Sequence, residues 1–168
     1  MLRPISEKDS GNILKWRNDP EVRSSFVFQD ELTIETHKNW LNDHVTSGKA
    51  VQFIIVTEDL GDIGSVYLRD VDHKNQKAEF GIFIGEKSAR GKGFGTEATR
   101  LILEYAFCKL NLNKVYLRVF PDNIGAIKSY KRAGFTQEGY FADDVIINSK
   151  PCDMIFMAIL RSHFIEGK

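Results

Sequence analysis

A glycine-rich turn between a strand pattern and a helix pattern constrains this chain most. Lys77-Ala78-Glu79-Phe80-Gly81-Ile82-Phe83-Ile84-Gly85 reads as a strand, and Arg90-Gly91-Lys92-Gly93-Phe94-Gly95 follows it. From Thr96 onward the apolar residues recur at helical spacing, with Ala98, Leu101, Ile102, Tyr105 and Ala106 on one face. Glycines at such a junction expose backbone N–H groups at a helix N-terminus, where the dipole favours an anion; the turn suits a phosphate. Its order matches neither common nucleotide turn. A P-loop needs Ser or Thr directly after its Lys, and here Gly93 follows Lys92. A dinucleotide turn needs G-x-G-x-x-G, and here Gly91, Gly93 and Gly95 alternate. The local physics predicts a pyrophosphate site outside those two folds.

The rest of the chain supplies a setting for that turn. Leu2-Arg3-Pro4-Ile5 reads as a first strand. A helix opens at Asp9 or Ser10 and runs to about Arg17, where Asn18-Asp19-Pro20 stops it. Thr33 and Thr36 open a second helix, to about Val45. The period then changes to three strands near 51–56, 63–68 and 77–85. A helix over 96–109, a strand over 115–120, a helix over 123–132, a strand opening at Gly134-Phe135 and a last strand at about 152–161 complete the order. Three meander strands feeding a βαβ crossover predict an α/β (α+β) fold with a central mixed sheet. At 168 residues the chain is expected to form a single domain, 1–168.

Composition narrows the function classes. The 23 basic and 23 acidic residues cancel, so non-specific nucleic-acid binding has no support. No apolar stretch is long enough to span a bilayer and none resembles a signal peptide, so no membrane partner and a cytoplasmic location are expected. Cys108 and Cys152 are far apart and form no metal-type pair; no metal is implied.

The element order, the R-x-x-G-x-G turn from Arg90 to Gly95, and a second block, Asn123-x-x-Ala126-x-x-x-Tyr130-x-x-x-Gly134-Phe135, together resemble the GNAT N-acetyltransferases, in their ribosomal-protein-acetylating branch. The resemblance covers essentially the whole chain and is strongest from Glu79 to Phe135. It implies a mostly antiparallel seven-stranded sheet, about four flanking helices, and splayed parallel strands four and five. It implies acetyl-CoA as acetyl donor, with the pantetheine between those strands. Backbone groups near Phe83, Ile84 and Gly85 are then expected to bond the pantetheine. Arg90, Gly91, Lys92, Gly93, Phe94, Gly95 and Thr96 are expected to take the pyrophosphate.

Asn123 and Tyr130 stand seven residues apart, two helical turns, and so share a face. The resemblance implies that Asn123 contacts the pantetheine arm and that Tyr130 protonates the departing thiolate. A phenol suits that task, since it keeps its proton at pH 7 yet roughly matches a thiol, ~10 against ~8.5. Asn123 also reads as a helix N-cap. Glu79 is the candidate base for the acceptor amine. Some N-terminal acetyltransferases of the family carry a Glu on the fifth strand, five residues before the Asn; here that position is Arg118. Neither Cys lies in a motif block, so direct transfer is expected rather than a covalent acyl-enzyme.

The N-terminal third is expected to choose the acceptor, a small-molecule amine. Trp16, Arg17, Arg23, Phe26 and Phe28 are its candidate substrate-binding residues, with His37 on a solvated helix face. This part resembles the UDP-amino-sugar N-acetyltransferases of the pseudaminic-acid pathway, which implies a UDP-linked 4-amino sugar as acceptor. Arg17 or Arg23 then meets a diphosphate and an aromatic from 26–28 stacks on the ligand. Acidic residues at Glu31, Glu35, Asp43 and Asp72 allow a polyamine instead, and spermidine acetyltransferases share the long pattern. A protein N-terminus and a non-catalytic acyl-CoA-binding module are the remaining alternatives. Homodimers are common among such enzymes.

Overall fold

A computed structural model describes residues 1–166. Strands β1 (Leu2–Pro4), β2 (Val51–Thr57), β3 (Gly61–Asp72) and β4 (Lys77–Ile84) form an antiparallel meander. β5 (Lys114–Val119) lies parallel to β4, and the hairpin of β6 (Thr136–Ile147) and β7 (Lys150–Leu160) closes the sheet in the order β1-β2-β3-β4-β5-β7-β6. The one parallel contact is short. Only Lys77, Ala78 and Glu79 pair with Lys114, Val115 and Tyr116, after which the strands diverge. That is the expected splay, and it opens a wedge in the sheet.

Six helices flank the sheet among the described residues: α1 (Ser10–Asn18), α2 (Pro20–Arg23), α3 (Ile34–Trp40), α4 (Phe94–Cys108), α5 (Ile124–Arg132) and α6 (Arg161–Glu166). About four were expected, and the additional two are short. The segment read as a stop is also a start: Pro20 sits in the first turn of α2, and the Asp19 carboxylate accepts from the N–H groups of Glu21 and Val22. Thr33 and Thr36 form the capping box that opens α3. After Trp40 the chain continues as a π-type turn, Leu41–Thr46, where the sequence suggested plain helix.

Two apolar clusters use the two faces of the sheet. Ile102, Leu103, Ala106 and Phe107 of α4 bury against Ile55, Ile63, Val66, Leu68 and Leu117. Ile13, Trp16 and Val22 of the N-terminal helices pack with Ile54 and Phe83. Neighbours Ile54 and Ile55 feed opposite clusters because side chains alternate along a strand. Ile102 has no exposed surface, so Ile102→Ala is expected to cost about 2–5 kcal/mol. The clusters seat α1 and α2 on one side of the wedge and α4 and α5 on the other.

Candidate active site

A cleft of about 910 Å³ runs from the N-terminal helices, across the wedge between β4 and β5, to the start of α4 and one side of α5. At the α4 end the backbone conformation explains the glycines. Gly91 and Gly93 have φ of 74° and 89°, in the left-handed region that other residues enter at a cost. Gly93 is the N-cap of α4, so the first N–H groups of the helix face outward without a side chain over them. Thr96 is tied to α5 through its hydroxyl, 2.9 Å from Ser129 Oγ.

The two cations of the turn divide. Arg90 donates to the carbonyls of Ile84 (3.0 Å) and Gly85 (3.1 Å) and pairs with Glu21 at 2.6 Å. It staples the turn to the end of β4. Lys92 is exposed and lies outside the cleft lining.

Along β4 the pairing decides which backbone groups meet the opening. Gly85 N–H donates to Ile63 O, and Phe83 lies opposite Ser65. Backbone polar groups alternate sides along a strand, so those of Phe83 face β3 and those of Ile82 and Ile84 face the wedge. Of the expected set Phe83, Ile84 and Gly85, only Ile84 turns its strand backbone groups to the wedge, and Ile82, which the sequence did not single out, does the same. Only the hydrogen-bond register reveals this.

Across the wedge, Asn123 caps α5 with its Oδ1, accepting from Ala126 N–H at 3.2 Å, and also lines the cleft. Tyr130 lies two turns on, on the same side. Its ring is held edge-on by Phe80, at 5.8 Å and 86°, and packs against Phe135. Burial pushes the Tyr130 phenol up from its ordinary value, which keeps it protonated at neutral pH. Protonated is the form a general acid needs.

Glu79 is buried in the floor of the cleft between β3 and β5. Its Oε1 accepts from Arg69 at 2.8 Å and from Arg118 at 3.2 Å. Arg69 lies opposite Glu79 in the β3–β4 register, a partnership hidden until the strands are paired. The carboxylate expected to act as a base therefore already holds two guanidiniums.

The end of the cleft expected to take the acceptor is built from the N-terminal helices. Arg17 and Phe26 are there, with the Arg17 guanidinium 3.4 Å from the centroid of the Phe26 ring. Phe28 lies on the rim, well exposed. Trp16 and Arg23 are outside the lining. Trp16 is core: it is 2% exposed, donates to Glu86 Oε1 at 2.7 Å and packs where a Cβ on Gly85 would otherwise sit. His37, expected on a solvated face, is 2% exposed and lines the cleft. Helical spacing placed it correctly along α3, but the neighbouring α1 covers that face. A polar chain lies behind it: Trp40 Nε1 to Gln52, Gln52 to Ser65, and Ser65 to the carbonyl of Phe53, at 2.7, 2.9 and 2.9 Å. Beside that satisfied chain, Arg17 Nη1 and His37 Nε2 are buried without a hydrogen bond among the described residues. Each such orphan costs roughly 1–3 kcal/mol, more when charged.

The model of the acetyltransferase (GNAT) domain matches residues 1–136. The chain belongs to the GNAT acetyltransferase family. It is an acetyl-CoA-dependent N-acetyltransferase, and acetyl-CoA is the donor that the glycine turn and the wedge fit. The spermidine N(1)-acetyltransferase of Vibrio cholerae is 28% identical over 165 residues, covering 98% of this chain and 95% of that protein. That of Escherichia coli K12 is 29% identical over 164 residues, covering 98% and 87%. A crystal structure of the Vibrio cholerae enzyme with CoA and spermine superposes with a TM-score of 0.91 at 28% identity, covering 98% of this chain and 97% of that one. These relatives are spermidine acetyltransferases; the expected likeness to amino-sugar nucleotide enzymes is not what these comparisons bring out. Among the described residues, no group of three or more His, Cys, Asp or Glu could hold a metal, and no helix is long and apolar enough to cross a membrane.

Proposed function

We propose that this chain transfers acetyl from acetyl-CoA directly to a primary amine of a small molecule, with Tyr130 as the acid. The amine nitrogen attacks the thioester carbonyl, the C–N bond forms, the C–S bond breaks, and Tyr130 gives its proton to the thiolate. The observation that carries this reading is the position of Tyr130, ring-clamped on the wall of the wedge that receives the donor, in its protonated form. N–H groups of Ile82 and Ile84 hold the pantetheine. The first turn of α4, from Gly93 to Thr96, holds the pyrophosphate, with Arg90 acting as its staple. We assign Glu79 the task of holding Arg69 and Arg118 in place, and the proton released by the amine to water.

For the acceptor, the relatives favour a polyamine over the nucleotide-linked amino sugar. One feature of the cleft favours an acceptor of the opposite charge. Both carboxylates in its lining are already paired, Glu21 with Lys87 and Arg90, and Glu79 with Arg69 and Arg118. Glu31, Glu35, Asp43 and Asp72, which the polyamine reading invoked, are outside the lining. Self-association belongs to the same proposal: outer strand β6 exposes Tyr140, Phe141 and Ile146, and a dodecameric structure is known for the Vibrio cholerae relative. Gel filtration with light scattering tests it.

The function is tested by coenzyme A release from acetyl-CoA with spermidine, UDP-linked 4-amino sugars and short peptides as acceptors. Saturable release with any one supports the transferase reading and names the acceptor class. Binding of acetyl-CoA with no release from any of them speaks for the non-catalytic acyl-CoA module.

A further inference from the structure

Two atoms on the acceptor wall are unexplained by the reaction. Arg17 Nη1 and His37 Nε2 are buried, lack a hydrogen-bond partner, and belong to residues lining the same cleft from α1 and α3. A guanidinium carries its charge at any physiological pH, so Arg17 cannot escape by losing a proton. The Phe26 face above it offers a cation–π contact but no acceptor oxygen. Burial pulls the His37 imidazole below its ordinary pKa of 6.5, so it is neutral near pH 7 and able to donate from Nε2. Native proteins rarely leave such groups unpaired, and a catalytic role or an ion or water held at the site are among the reasons when they do.

The charge of the wall gives the sign of that ligand. Five arginines line the cleft as a whole, Arg17, Arg69, Arg90, Arg118 and Arg132, against Glu21 and Glu79; of these, Arg90 and Arg132 are at the α4–α5 end, and Arg17 stands on the acceptor side with Arg69 and Arg118 beside Glu79. With each Glu holding two cations, no carboxylate in the described lining is left for a second ammonium group. A polycation entering here meets like charge in a half-buried site.

We propose that Arg17 anchors an oxyanion subsite, so that the preferred acceptor is an amine that also bears a carboxylate or a phosphate. The amine end reaches the thioester beside Tyr130, and the anionic end lies under Phe26. This rests on the transferase reading of the cleft and narrows its acceptor.

The test separates the two. Enzyme saturated with coenzyme A, so that its own phosphate site is filled, is titrated with inorganic phosphate and, separately, with acetate by calorimetry. One ion is expected to bind wild type and to bind Arg17→Gln at least ~10-fold more weakly, with Arg17→Lys in between. Which ion binds tells phosphate from carboxylate. In parallel, coenzyme A release is compared for glucosamine against glucosamine 6-phosphate, leucinamide against leucine, and spermidine. The anionic member of at least one pair is expected to win in kcat/KM, and Arg17→Gln is expected to erase the preference through KM with little change in kcat. Arg17→Met, which removes a buried unpaired charge, is expected to melt higher than wild type in phosphate-free buffer; a purely structural arginine gives the reverse. Absence of ion binding to the saturated wild type, or spermidine as best acceptor with Arg17→Gln indifferent, overturns the subsite. Ion binding that depends on Arg17 with no release from any acceptor keeps the subsite and sinks the transferase reading.

Discussion

The two ends of the cleft are built on opposite principles. At the donor end the protein has already met its own needs: Arg90 is tied to two carbonyls and Glu21, Asn123 to its own helix, and Thr96 to Ser129. What it leaves open is backbone, at the first turn of α4 and along one edge of β4. At the acceptor end the backbone is covered by helices, and what is left open is side chain, Arg17 Nη1 and His37 Nε2. A cofactor that never changes is met by fixed geometry, whereas the partner that distinguishes one family member from another is met by side chains that substitution can alter.

Substitutions at each end sharpen that contrast. The largest effect among them is expected at the donor end. Gly93→Asp forces a side chain into left-handed backbone and sets a carboxylate against the pyrophosphate, so coenzyme A affinity is expected to fall roughly 10- to 100-fold. Calorimetry checks it, and unchanged affinity removes the turn from the phosphate site. In the floor between the ends, Glu79→Gln strands two guanidiniums. Because Arg69 and Arg118 keep about a third of their surface, the loss of stability is expected to be roughly 1–3 kcal/mol, below that of a fully buried pair. Denaturant unfolding measures it. The same variant is expected to keep the low-pH limb of kcat/KM, and loss of that limb restores Glu79 as the base.

The smallest effect is at His37. Its folded pKa is lowered by burial, so the unfolded chain takes up a proton first as pH falls. Stability from the neutral imidazole is present above about 6.5 and is lost as pH falls from there toward the folded value. His37→Gln is expected to flatten the slope of unfolding midpoint against pH between 7.5 and 5. An identical slope in variant and wild type removes His37 as its source.

The donor end was legible in the sequence because its chemistry is local. Glycines at a strand–helix junction and an Asn–Tyr pair two turns apart are readable without any tertiary contact. Even there, that Ile82 rather than Phe83 turns its backbone groups to the wedge needed the register with Ser65. The acceptor end depends on which helix covers which. Trp16 and Arg17 are neighbours in sequence, yet one is a core anchor and the other a cleft cation, and a helical period cannot tell a core stripe from a cleft wall. His37 was misplaced for the same reason. Glu79 was placed correctly in the cleft, but its two arginines come from strands ten and thirty-nine residues away.

The most direct test is the rate of coenzyme A release by Tyr130→Phe beside wild type, with coenzyme A affinity measured on both. With the acid gone and the ring clamp of Phe80 and Phe135 intact, kcat is expected to drop about 10²- to 10⁴-fold while affinity stays within a factor of about two. A wild-type rate in Tyr130→Phe contradicts the assignment of the acid and, with it, the account of how this cleft moves an acetyl group.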